Sequence, residues 1–190
     1  LMMLGAAQGD AVTLPALAGE PLNDMLELID GGRAAWRHYR DRLEQLPADC
    51  RVPLASVKML APIPRPRKNI LCLGLNYADH AAESSAARGR EPAVPEHLVV
   101  FTKAVTSITG PDADIPYDST VTAQLDWEVE LAVVIGTPGR RISEELAMDH
   151  VFGYTVVNDL SARDLQFRHK QYFLGKSLDG ACPMGPWIVT

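Results

Sequence analysis

At 190 residues the chain has the length of one ordinary domain, and 47% hydrophobic with 22% charged residues suits a buried core rather than a disordered segment. A formal net charge of −6 argues against nucleic acid or an anionic membrane surface as partner, since both are met by basic patches. A small anionic substrate stays open, because a metal ion and a few local cations reverse the sign inside a pocket.

Residues 1–62 read as a small leading segment, and residues 63–190 as the main domain. No apolar run is long enough to span a bilayer, and Leu1-Met2-Met3-Leu4 is not a basic region followed by a long apolar stretch, so no signal peptide is expected. Over residues 21–30 the apolar positions Leu22, Met25, Leu26 and Ile29 have helical spacing, stopped by Gly31-Gly32. Residues 33–46 repeat the pattern with Trp36, Tyr39, Leu43 and Leu46, and both stretches read as surface helices. The basic, proline-rich run APIPRPRK (61–68) cannot be helical and reads as an extended linker. Strands are predicted over 69–74, 98–103, 127–135, 151–157 and from Trp187 onward, with short helices over 79–88, 143–149 and 161–169. This mixture predicts a β-rich α+β fold, not a doubly wound sheet. The polar stretch 84–97, with Gly89, Pro92 and Pro95, is a loop long enough to be functional or mobile. The Gly180–Pro186 stretch reads as a structural turn. Three cysteines, none in CxxC spacing, make a poor disulfide framework, so a reducing, cytoplasmic setting is expected. Cys72 sits in an apolar run as a small hydrophobe. The chain begins with Leu1 and stops within a strand-like run, so the natural protein is expected to extend at both ends.

The densest chemistry lies in DWEVELAVVIG (126–136). Side chains alternate along a strand, so Trp127, Val129, Leu131, Val133 and Ile135 share one face, and Glu128 and Glu130 the other, with Ala132 and Val134 beyond them. Two neighbouring carboxylates beside an apolar run repel each other and lose hydration. A hard divalent cation relieves both; a solvated edge strand is the plainer account of the same alternation. A second acid, Asp159, ends the strand-like run 151–157, where it is either functional or a helix cap. Arg163 and Gln166 stand three apart on the following helix. They suit a carboxylate or an oxyanion, or a surface salt-bridge face. Lys176 carries no signal of its own. Upstream, His80 and Glu83 stand one helical turn apart, either as an imidazole oriented by a carboxylate for general-base work or as an exposed ion pair. His38, His97, His150 and His169 have no such neighbour and read as structural.

The blocks GLNYADHAAES (74–84), DWEVELAVVIG (126–136), GYTVVNDLSARDLQ (153–166) and GKSLDGACPMGPWIV (175–189), in this order, resemble the fumarylacetoacetate hydrolase family, over roughly residues 68–190. The resemblance implies a mixed β-sandwich roll, usually a homodimer, that needs Mg²⁺ or Mn²⁺, with Ca²⁺ a further candidate. It implies Glu128, Glu130 and Asp159 as metal ligands, His80 and Glu83 as the acid–base pair, and Arg163, Gln166 and Lys176 around the substrate's oxygens. It likens the segment near 84–97 to a lid. The family's C-terminal glycine-rich loop is not in this sequence. The implied activity is metal-dependent hydrolysis of a C–C bond in an acylpyruvate or related β-diketo acid. Its alternatives are an isomerase or tautomerase of 2-oxo acids and an oxaloacetate-type decarboxylase. A non-catalytic domain binding a metal or an acid, and a structural β domain with chance acids, are the rivals from other classes.

Overall fold

A computed structural model describes residues 4–19, 24–75, 96–168 and 170–190 of the chain. The first three strands, β1 (Ala6–Gln8), β2 (Ala11–Thr13) and β3 (Arg51–Pro53), form a small antiparallel sheet in that order. Between β2 and β3 lie helices α1 (Met25–Asp30) and α2 (Gly32–Gln45). Asp24 caps α1, its carboxylate accepting from the Glu27 N–H at 2.9 Å. The Gly31-Gly32 pair, expected as a stop, is the joint between the helices: Gly32 opens α2 with a φ of 65° that other residues rarely adopt.

Of the two helices expected at the surface, α2 has no buried residue and α1 does. Leu28 and Ile29 of α1 are buried in the main core with Ala61, Ile63, Phe152, Val157, Cys182 and Met184. From α2, Trp36 meets the Phe152 ring edge-on at 4.7 Å, and its indole N–H donates to the Leu28 carbonyl at 2.8 Å. The proline-rich run 61–68 is irregular as expected, but Ala61 and Ile63 are part of that core, so it is packed rather than a free linker.

Strands β4 (Ile70–Gly74) and β5 (Val99–Lys103) pair as an antiparallel ribbon, Ile70 opposite Lys103 and Gly74 opposite Val99. A four-stranded sheet runs β6 (Ile108–Thr109), β11 (Cys182–Val189), β9 (Val151–Asn158), β8 (Val129–Ile135). β9 is antiparallel to both its neighbours, and β6 is parallel to β11. Gly153 lets β9 and β11 close, since a Cβ there would lie 2.4 Å from the Val189 carbonyl oxygen. A two-stranded patch joins β7 (Leu125–Asp126) to β10 (Ser161–Ala162).

Three boundaries differ from expectation. The strand forecast over 127–135 is interrupted: Trp127 and Glu128 connect β7 to β8. Ser161 and Ala162, forecast as helical, pair with Asp126 and Leu125, so the helix is Arg163–Arg168. The stretch read as a turn enters β11 at Cys182, five residues before the forecast strand start, because backbone pairing with β6 and β9 outweighs the local Gly and Pro signals. Among the described residues no helix is long and apolar enough to cross a membrane.

Candidate functional site

The site forms where β9 ends. The Asp159 N–H donates to the Glu128 carbonyl at 2.9 Å, and the Asn158 side-chain oxygen accepts from the Glu128 N–H at 3.2 Å. These two bonds clamp the β7–β8 connection against the end of β9 and bring the two acids together. Pairing of β10 with β7 then returns the chain, so that the Ser161 hydroxyl donates to Glu128 Oε1 at 3.2 Å. The next side of the site comes from the short helix Phe173–Lys176. A Cβ on its Gly175 would meet the Gln166 nitrogen at 2.5 Å and the Ala162 carbonyl oxygen at 2.8 Å. The bare glycine therefore permits the close approach that seats Lys176, which is 1% exposed.

Lys176 Nζ donates to Glu128 Oε2 and to Asp159 Oδ2, each at 2.8 Å, and lies 5.1 Å from the centre of the Phe101 ring. A second buried lysine, Lys103 at the end of β5, stands 2.7 Å from Asp159 Oδ1 and donates to the Leu160 carbonyl at 3.1 Å. The Lys103–Asp159 contact is ionic and not aligned as a hydrogen bond, so the buried Oδ1 accepts no hydrogen bond from any described residue. Arg163 donates through Nη1 to Glu128 Oε1 at 2.6 Å and to Gln166 Oε1 at 2.9 Å. Its Nε and Nη2 donate to Asp126 Oδ2 at 2.9 and 2.7 Å.

These contacts set the charge states. Burial pushes the Glu128 carboxyl up, but hydrogen bonding and charge from Lys176 and then Arg163 outweigh it and hold it below its ordinary value. Burial likewise pushes the Arg163 guanidinium down, and its carboxylate partners more than offset this, raising it. Burial raises the Cys72 thiol to about 12 and the Cys182 thiol to about 11, so neither supplies a thiolate at neutral pH. Asp164 has partners of its own. It accepts from the Thr122 hydroxyl at 2.5 Å and from the Ala123 N–H at 3.3 Å, pinning the loop before β7.

Of the expected residues, Glu128, Asp159, Arg163, Gln166 and Lys176 meet in one connected network. Glu130, on β8, stands two residues beyond Glu128 and is, like it, partly covered. His80, Glu83 and the 84–95 part of the expected lid lie outside the described residues. Among the described residues, no three Asp, Glu, His or Cys side chains converge closely enough to hold a metal ion. The donor chemistry nevertheless fits a hard divalent cation. Two carboxylates, Glu128 through Oε2 and Asp159 through Oδ2, already share one cation, the Lys176 ammonium.

Sequence reasoning missed Lys103, Asp126 and Ser161. Lys103 closes the run Leu98-Val99-Val100-Phe101-Thr102-Lys103, and a lysine after an apolar strand reads as a solvated end. The available signal was alternation: Val99, Phe101 and Lys103 share a face of β5, and Phe101 lies beside Lys176.

The model of the fumarylacetoacetate (FAA) hydrolase C-terminal domain matches residues 69–190. Oxaloacetate tautomerase YisK of Bacillus subtilis (strain 168) is 59% identical over 136 residues, 72% of this chain and 44% of that protein. Among solved structures, the fumarylacetoacetate hydrolase of psychrophilic Exiguobacterium antarcticum is 40% identical at a TM-score of 0.77, covering 99% of this chain and 62% of that one. The 2-hydroxyhepta-2,4-diene-1,7-dioate isomerase of Mycobacterium marinum is 38% identical at 0.60, covering 74% and 48%. The chain thus spans about half the length of these relatives. A domain match over most of the chain, with the strand order and clustered acids described above, makes the protein a member of the fumarylacetoacetate hydrolase family.

Proposed function

We propose that the protein acts on small 2-oxo acids by stabilising their enolate form, and that the net reaction is keto–enol tautomerisation of an oxaloacetate-like diacid. The observation that carries this reading is the Glu128–Lys176–Asp159 arrangement, a buried ammonium between two carboxylates beside a partly exposed guanidinium. The identity to an oxaloacetate tautomerase supports the choice of reaction.

Glu128, Glu130 and Asp159 would hold a divalent cation, Mg²⁺ or Mn²⁺, in exchange for the carboxylates' contacts with Lys176. Bound there, the cation supplies positive charge to the substrate's enolate and carboxylate oxygens. Arg163, held by Asp126, Glu128 and Gln166, supplies positive charge toward a substrate carboxylate. Lys176, once released from the two acids, donates a hydrogen bond to the oxygen on which negative charge develops. The proton leaves the carbon next to the carbonyl and returns to the oxygen; no C–C bond breaks and no water is consumed. His80, three residues before Glu83 in the sequence, is the proposed carrier of that proton.

A second reading is hydrolytic C–C cleavage of an acylpyruvate. It draws on the same His80–Glu83 spacing, with water as the group deprotonated, and on the identity to a fumarylacetoacetate hydrolase. Proton NMR of oxaloacetate and of an acylpyruvate incubated with protein and the diamagnetic Mg²⁺ separates the two. Faster keto–enol exchange without new carboxylic acids is expected, and loss of that rate in Glu128→Gln. Release of pyruvate with a second acid selects hydrolysis. Unchanged exchange in Glu128→Gln removes the site from the chemistry.

A further inference from the structure

Two lysines share Asp159, and their surroundings differ. Lys176 touches only the two carboxylates through hydrogen bonds, so nothing else in its polar contacts keeps it there. Lys103 is 1% exposed, touches Asp159 through the opposite oxygen, and is tied to the backbone at the Leu160 carbonyl. It also projects from β5, a strand paired with β4 along five residue pairs. Its ammonium is therefore fixed by the ribbon and by the chain just after Asp159, independently of what lies between Asp159 and Glu128.

We infer that Lys103 is a positioning residue: it holds Asp159 through Oδ1 so that Oδ2 stays turned toward Glu128 whichever cation sits between them. The two lysines would thus act in opposite ways on a bound cation, Lys176 as a competitor for the same oxygens and Lys103 as an anchor. This rests on the cation site proposed above. A purely electrostatic part for Lys103 makes a different prediction, because removing one positive charge from the neighbourhood would strengthen cation binding.

The test is calorimetric titration of Mn²⁺ into the full chain and its Lys103→Met, Lys103→Gln and Lys176→Met variants, with circular dichroism melts of each. Lys103→Met is expected to bind Mn²⁺ at least about 10-fold more weakly, as residues that orient metal ligands do, while Lys176→Met does not weaken it. Lys103→Gln, which keeps a donor for the Leu160 carbonyl, should fall between parent and Lys103→Met, and is read in its place should that variant not fold. Unchanged or tighter binding in Lys103→Met, or weakening by both lysine variants alike, overturns the inference. Failure of both Lys103 variants to fold also overturns it, assigning the lysine to the fold. Absence of Mn²⁺ binding by the folded parent strikes at the cation site itself, and is thereby distinguishable.

Discussion

The two sides of β8 make a sharp contrast. On one side Val129, Leu131, Val133 and Ile135, with Trp127 just before the strand, are between 48% and 68% exposed, a row of large apolar side chains open to solvent. On the other, Ala132 and Val134 pack against the core cluster, and Glu130 shares their partly covered side. The covered side is the one bearing the carboxylates. Alternation tells which residues share a face, but the fold decides which face is covered. Here β8 is the edge of its sheet, and its covered side looks toward Phe152 and Val157 while its apolar row looks away.

This contrast predicts where substitutions are felt. Phe152→Ala, on the covered side against Trp36, should cost about 3–5 kcal/mol of unfolding free energy; a denaturant melt showing under about 1 kcal/mol would put the stabilising contacts elsewhere. Gly175→Ala should cost about 1–3 kcal/mol, as overpacking does, and displace Lys176, read as a lowered melting midpoint together with altered Mn²⁺ binding. The acid response should sharpen the contrast further. The Glu128 carboxyl is held below its ordinary 4.5 in the fold. Its stabilising contribution is therefore complete above that value and is lost as pH falls through the lower, folded one. Glu128→Gln should show a flatter loss of stability between neutral and acid pH than the parent; superimposable profiles would contradict the ion-paired arrangement. The smallest effect belongs to the open row: Leu131→Ala should change stability by no more than about 0.5 kcal/mol, measured by the same melt.

Much of this arrangement was legible in the residues. The strands at 70–74, 99–103, 129–135 and 151–158 follow from β-branched and apolar runs; the acids at 128 and 130 stood out as costly beside an apolar run, and Asp159 as an acid at a strand's end. What stayed hidden depends on contacts distant in sequence. Ser161 and Ala162 look like the start of a helix, yet they are drawn into pairing with Asp126 and Leu125. Cys182 lies in a Gly- and Pro-rich stretch that reads as a turn, yet β6 pairs with it through Ile108. Lys103 looks solvated because its two polar partners, Asp159 and Leu160, lie more than fifty residues away. α1 looks like a surface helix because Phe152 and Val157, in the same core cluster, come over a hundred residues later.

The β4–β5 pairing also sets how far this protein's length can be edited. Val99, Phe101 and Lys103 lie on one side of β5 by a period of two, so inserting or deleting one residue just before Lys103 would turn its ammonium to the opposite side of the ribbon. Changes of two residues would preserve the side but shift the ribbon against β4. The loop 112–117, which belongs to no strand or helix, has no such parity to keep. Natural or engineered variation in length should therefore accumulate there and be nearly absent from β5, a rule that concerns counting residues rather than choosing them.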